Sequence, residues 1–195
     1  MTEEDELRAF YEVEAQQRLR TPPAGFRVEV RTGFVETLLE LGCSSVVDLG
    51  SGPAGDGPAF VQAGIDHVGL DLAVANAHLA AESGLVVVPG SLVAPPFRAR
   101  SFDAGWSMST LMHLTEDETP AALAAIAALL RPGAPLLVGL WGGTLGDVRS
   151  DHPLAGRHRL FSLRTLDRNR ELLAAMGTIE HAQRHDAGLD GWEYQ

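Results

Sequence analysis

The chain has 195 residues, enough for one domain with a sizeable core; its formal charge of −11, with Lys plus Arg totalling only 15, disfavours nucleic acids and other polyanionic partners. A hydrophobic share of 45% beside a charged share of 21% is that of a water-soluble globular domain. No apolar run approaches the roughly 18 to 20 residues that span a bilayer, the first residues are acidic rather than signal-like, and the lone Cys43 permits no internal disulfide, so a cytoplasmic protein with a small-molecule partner and no membrane contact is expected.

Residues 3–20 mix Glu, Arg and Gln with Leu7, Phe10, Tyr11 and Leu19, which predicts an amphipathic helix ended by Thr21-Pro22-Pro23. Residues 26–41 carry the stripe Phe34, Val35, Leu38, Leu39, Leu41, with Gly42 placed to cap the helix. Arg27 and Arg31 lie four apart there and read as solvated charges in preference to a carboxylate clamp. Residues 45–49 predict a buried strand, followed by a glycine-rich turn and a helix to about residue 62. Residues 68–71 read as the second strand, 73–82 as an Ala-rich helix stopped by Ser83-Gly84, and 85–88 as the third strand.

A fourth strand ends near residues 106–108. Thr115-Glu116-Asp117-Glu118 has the spacing of a capping box and opens a helix through residue 130. Capping explains those acids, and the pairs His152/His158 and His181/His185 lack a third ligand at metal spacing, so no metal is assigned. Arg131-Pro132-Gly133 stops the helix before a fifth strand over 135–141. Residues 142–160 form a polar insertion, 165–175 a helix, 178–186 a sixth strand and 191–195 the start of a seventh. The whole predicts one α/β domain over residues 1–195, a doubly wound Rossmann-like sheet with helices on both faces.

The stretch Val46-Val47-Asp48-Leu49-Gly50-Ser51-Gly52-Pro53-Ala54-Gly55 organises the rest. Taken literally, Gly50-x-Gly52-x-x-Gly55 with Asp71 about 20 residues on is a dinucleotide fingerprint. Asp48 argues otherwise. A carboxylate beside this turn would repel a pyrophosphate and suit a ligand bearing an ammonium group. Asp48-x-Gly50-x-Gly52 resembles motif I of the class I S-adenosylmethionine (SAM)-dependent methyltransferases, although Ala54 stands where many members carry a third glycine. Asp71 at a strand end, Phe102-Asp103 at the start of strand 4 and the Pro132-Gly133 turn extend the resemblance, strongly over 45–141 and loosely over 142–195.

The resemblance implies a seven-stranded sheet whose last strand is antiparallel, and SAM as cofactor. It places Asp48, Gly50, Ser51 and Gly52 against the methionine and ribose portions, and Asp71 with Leu72 at the ribose hydroxyls. It places Ser91 where many members have an acid near the adenine amino group, with Leu92 beside the ring or in the core. Ser107 and Met108 fall beside the transferring methyl group, and His113 becomes either a general base or a histidine that holds its own loop. Within an N-terminal segment 1–41, the first helix is a lid or packs on the sheet edge. Tyr11, Trp141 and Arg157 are the substrate contacts chosen, with His152, His158 and Arg159 in the same loop as Arg157. The implied reaction is methyl transfer to an O, N or C nucleophile of a small molecule, by a monomer or homodimer. A nicotinamide-dependent oxidoreductase and a non-catalytic SAM-binding fold stand as the alternatives.

Overall fold

The computed structural model describes residues 2–17, 25–150, 154–186 and 191–195. Helix α1 (Glu3–Gln16) opens on a reciprocal cap: Thr2 Oγ1 accepts from the Asp5 amide at 3.1 Å, and Asp5 Oδ2 accepts from the Thr2 amide at 3.0 Å. Its predicted end at Thr21-Pro22-Pro23 lies outside the described residues. Helix α2 (Gly25–Glu40) buries Phe34 and Leu38. It closes with Gly42 at φ +68°, where the Cys43 amide reaches back to the Leu38 carbonyl and the Gly42 amide to that of Leu39.

Five strands form the central sheet: β1 (Ser45–Leu49), β2 (Asp66–Asp71), β3 (Val87–Pro89), β4 (Ala104–Met108) and β5 (Leu136–Gly139). All neighbours are parallel, in the order β3-β2-β1-β4-β5. Helices α3 (Gly57–Gln62), α4 (Val74–Glu82) and α5 (Thr119–Leu129) connect them, and α6 (Leu166–Leu173) comes later in the chain. The sheet is buried on both faces, so its strands read as apolar runs whose successive side chains enter different cores. Val46 packs with Phe34, Leu38, Phe60 and Trp106 under α2 and α3. Val47 and Leu49 pack with Leu123, Ile126 and Leu129 of α5. Asp48 takes the same parity as Val46 and therefore turns toward the first of these faces.

The expected seven-stranded sheet with an antiparallel last strand is corrected: among the described residues the central sheet has five strands, all parallel. Beyond Gly139 the chain leaves the ladder with β4. Leu140 exchanges both backbone hydrogen bonds with Gln195, at 2.8 and 2.9 Å, and the Gly143 amide turns to the Arg164 carbonyl. A separate small sheet follows, in which β6 (Trp141–Gly143) pairs antiparallel with β10 (Trp192–Tyr194), and β10 with β9 (His185–Asp186). Most of the predicted sixth strand is absent because residues 178–184 offer only Ile179 and Ala182 as apolar side chains, too few to bury a face. Part of the expected insertion is also regular: β7 (Gly146–Arg149) forms an antiparallel pair with β8 (Leu160–Leu163).

Arg27 and Arg31 are the second correction. Both converge on Asp56, Arg31 Nη1 at 2.7 Å and Arg27 Nη2 at 3.8 Å, and Trp106 Nε1 donates to the same carboxylate at 3.2 Å. The partner comes from the turn after β1, which helical spacing could not announce. Among the described residues no helix is long and apolar enough to cross a membrane.

Candidate active site

The cleft opens where the sheet order reverses, at the carboxyl ends of β1 and β4, the position at which doubly wound sheets bind ligands. It holds about 900 Å³ including its open mouth. The floor begins at Gly50. With φ at +72°, its amide and that of Ser51 both donate to the Leu70 carbonyl, at 2.7 and 3.1 Å. A Cβ on Gly50 would stand 2.2 Å from the Thr110 side chain, so only glycine leaves this backbone bare.

Asp71 ends β2 and clasps the turn. Its Oδ2 accepts from the Gly52 amide at 2.8 Å, and its Oδ1 accepts from the Ala73 amide at 2.9 Å and Asn76 Nδ2 at 3.0 Å. Ionised carboxylate oxygens hold about four acceptor sites between them, so capacity remains for a ligand hydroxyl.

Helix α1 forms the roof through Glu4, Leu7 and Tyr11, spaced i, i+3, i+7 on one face. It is held from several sides. Glu12 accepts from the Val74 and Ala75 amides at 2.5 and 3.0 Å, supplying the cap that Ala73 cannot give to α4. Arg149 of β7 pairs with Glu3 and, at 3.3 Å, with Glu6. Ser91 donates to Glu4 Oε2.

His113 lies in the short 3₁₀ turn Leu111–His113 after β4 and is buried. Its Nδ1 stands 2.7 Å from the Leu160 carbonyl, which can only accept, so Nδ1 carries the hydrogen of the neutral ring. Nε2 then presents its lone pair to the Tyr11 hydroxyl at 2.8 Å. Phe161 packs against the ring at a centroid distance of 5.0 Å. Arg159 lies over Phe10 at 4.6 Å and Phe161 at 5.3 Å, bracing the back of Tyr11.

Of the residues chosen from sequence, Gly50, Asp71, Leu72, Leu92, Tyr11 and His113 line the cleft. Ser51 and Gly52 form the turn behind it, and Ser91 reaches it through Glu4. Five others lie outside its lining. Asp48 is buried toward α3, with its Oδ2 3.3 Å from His67 Nε2. Ser107 Oγ donates to the Leu49 carbonyl, and Met108 sulfur receives the Tyr194 hydroxyl at 3.8 Å, both inside the sheet. Trp141 stands edge-on to Trp192 and Tyr194 in the small sheet. Arg157 closes a tight turn with Leu154.

The sequence reading missed Glu4 and Leu7 as roof residues, although their helical spacing from Tyr11 pointed to them. It also gave Glu118 a capping role alone. Glu118 does cap, accepting from the Thr115 amide and hydroxyl at 2.9 Å each, and it also lines the cleft. Glu4, Asp71 and Glu118 thus face the cleft, and among the described residues no arginine or lysine lines it. Beneath it, burial pushes the Tyr194 phenol up despite the Ser109 hydroxyl 3.4 Å away, so Tyr194 stays protonated.

A family model described as a methyltransferase domain matches residues 46–133. No curated protein sequence matches the chain. Among solved structures, the chain is similar to the Burkholderia thailandensis 1,6-didemethyltoxoflavin-N1-methyltransferase with bound 1,6-didemethyltoxoflavin and S-adenosylhomocysteine, at 23% identity, 90% coverage of each chain and a TM-score of 0.62. It is similar to a SAM-dependent methyltransferase from Methanosarcina mazei at 14% identity, covering 77% of this chain and 89% of that one, with a TM-score of 0.69. It is similar to the [4+2]-cyclase SpnF at 20% identity and a TM-score of 0.60, covering 72% of this chain and only 53% of the cyclase. The chain therefore spans about half the length of the cyclase, and at these identities the likeness is one of fold. The match of the methyltransferase-domain model over residues 46–133 takes in the glycine turn, Asp71 and His113, and the solved structures share the fold around them.

Proposed function

We propose that SAM binds in the cleft beneath α1 and that its methyl group passes to an O, N or C nucleophile of a small molecule. The observation that carries this reading is the clasp of Asp71 on the Gly52 amide beside the bare backbone of Gly50, at the mouth of the cleft. The residues present fit the group. Gly50 lines the cleft with backbone alone, Asp71 has acceptor capacity for ribose hydroxyls, and three carboxylates face a ligand that carries sulfonium and ammonium charges. When bound, SAM supplies an electrophilic methyl group on sulfur.

The charge of the lining also separates this reading from a nicotinamide site. Asp48 does not make that distinction, since it is buried against His67. Glu4, Asp71 and Glu118, with no cation among the described lining residues, oppose a pyrophosphate instead.

The chain's own residues then do three things. Helix α1 covers the cleft and excludes water from the reacting end. The cleft walls hold acceptor and donor in line, and such alignment is the largest contribution open to a transfer between two bound partners. His113, its tautomer fixed by Leu160, holds an acceptor lone pair at Nε2 in contact with the Tyr11 hydroxyl, positioned to take a proton from an acceptor that needs deprotonation. The acidic surface and the absence of a basic lining support a small-molecule acceptor, and the single Cys43 supports a reducing, cytoplasmic setting.

Calorimetric titration tests the reading. Micromolar binding of SAM and S-adenosylhomocysteine, no heat with NADH, and loss of both in Asp71→Ala are the expected results. Binding of NADH without binding of either sulfur ligand would overturn it.

A further inference from the structure

We propose that Glu4, delivered by α1, is the acceptor that reads the exocyclic amino group of the cofactor's purine. This inference rests on the cofactor reading above and assigns its base end. The sheet order sets the walls of the cleft in the sequence β3, β2, β1, β4. The reacting end is the one beyond β4, where Thr110, His113 and Tyr11 meet. Asp71 at the end of β2 stands in the middle. A donor built in line as amino acid, sulfur, ribose and base, with its ribose at Asp71 and its sulfur toward His113, must place its base beyond Asp71, at the β3 end.

The lining there is Leu72, Leu92 and Val93 from the sheet side and Leu7 from α1, an apolar slot for a flat ring. The Glu4 carboxylate stands beside that slot, bonded to Ser91. It is 34% exposed in the open cleft, and its Oε1 engages the half-exposed Arg8 at 3.2 Å. Its Oε2 is aimed by the Ser91 hydroxyl, which itself accepts from the Val93 amide at 3.2 Å. Ser91 therefore spends its hydrogen orienting Glu4. A carboxylate oxygen accepts more than one hydrogen bond, so Glu4 can take an N–H from a ring edge while keeping Ser91. An acceptor-only carboxylate selects an amino purine. An oxo purine would set a carbonyl oxygen against it, one acceptor facing another.

The discriminating probes are S-adenosylhomocysteine and S-inosylhomocysteine, which differ in that amino group, titrated into the full chain. The wild-type protein should prefer the amino ligand by roughly tenfold to a hundredfold. Glu4→Ala should bring the two affinities close to parity by weakening the amino ligand. Glu4→Gln should tighten binding of the oxo ligand, because an amide nitrogen can donate to it; a loosened α1 would not produce that gain. Equal affinities in the wild-type protein would overturn the proposal. So would a preference that survives Glu4→Ala, including one that vanishes only in Ser91→Ala, which would give the contact to Ser91. Failure of the wild-type protein to bind either sulfur ligand would overturn the cofactor reading itself, and this proposal with it.

Discussion

Tyr11 and His113 stand 102 positions apart in the chain, yet the Tyr11 hydroxyl lies 2.8 Å from His113 Nε2. The contact joins the roof helix to the turn after β4, and the Leu160 carbonyl on the other ring nitrogen decides which way the bond runs. One histidine thus ties the roof helix to the start of β8 through its two ring nitrogens.

Tyr11→Phe should remove the hydroxyl and leave the ring packing of α1 in place. We expect affinity for S-adenosylhomocysteine within about threefold of wild type, and stability lower by about 1 kcal/mol for the lost buried partner of His113. With an acceptor in hand, turnover should fall by roughly 10²- to 10⁴-fold in His113→Ala if that nitrogen takes the proton. Urea unfolding, calorimetry and turnover rates are the measurements, and an unchanged turnover in His113→Ala would remove the base role.

Gly50→Ala should be poorly tolerated. The backbone sits at φ +72°, and the added carbon would meet Thr110 at 2.2 Å. A loss of about 1 to 3 kcal/mol is expected from the strained conformation, with cofactor binding lost as the turn shifts. Thr110→Ser or Thr110→Gly in the same chain should recover part of the stability and little of the binding. Recovery of both would mean that sterics alone, not the turn conformation, requires glycine.

Glu12→Ala should free α1 from α4 without disturbing the sheet. The Val74 and Ala75 amides lose the side-chain cap that Glu12 gives and Ala73 cannot, at a cost of about 0.5 to 2 kcal/mol. Hydrogen exchange should speed up in residues 3–16 and at the start of α4, and stay as in wild type in β1 and β4. Equal acceleration throughout would show that Glu12 supports the whole domain instead.

Asp103 ties the start of β4 to the start of β1. Burial raises its pKa, but hydrogen bonds from the Ser44 hydroxyl and amide and the Ser45 hydroxyl, with Arg131 beside it, hold the carboxyl below its ordinary value of 3.8. A carboxyl depressed in the folded state contributes stability above its unfolded value and loses it as pH falls through the folded one. Asp103→Asn should therefore be less stable than wild type at neutral pH, with the gap narrowing below about pH 4. A gap independent of pH would assign the role of Asp103 to shape instead of charge.

Much of the site's floor was legible in the sequence. An apolar run ending in Asp48-x-Gly50-x-Gly52, with Asp71 at the next strand end, needs only the period of a parallel strand and the freedom of glycine to be read. The apolar runs of the central strands and the capping box at Thr115 are likewise local, set by neighbours a few residues away. The direction of Asp48 was also latent in strand parity, which places it with Val46 and away from the cleft.

What only the tertiary structure decided is which distant side chains meet. The helical pattern of α1 shows an apolar stripe but not its bearing on the sheet. That bearing depends on Glu12 finding the bare amides of α4 and on Arg149 finding Glu3 and Glu6. It puts Tyr11 on His113 and Glu4 beside Ser91. The far end of the sheet was equally beyond reach. Whether β10 joins the central sheet depends on where the chain turns at Leu140, and that turn is fixed by Gln195 and Arg164, residues whose approach no local period encodes.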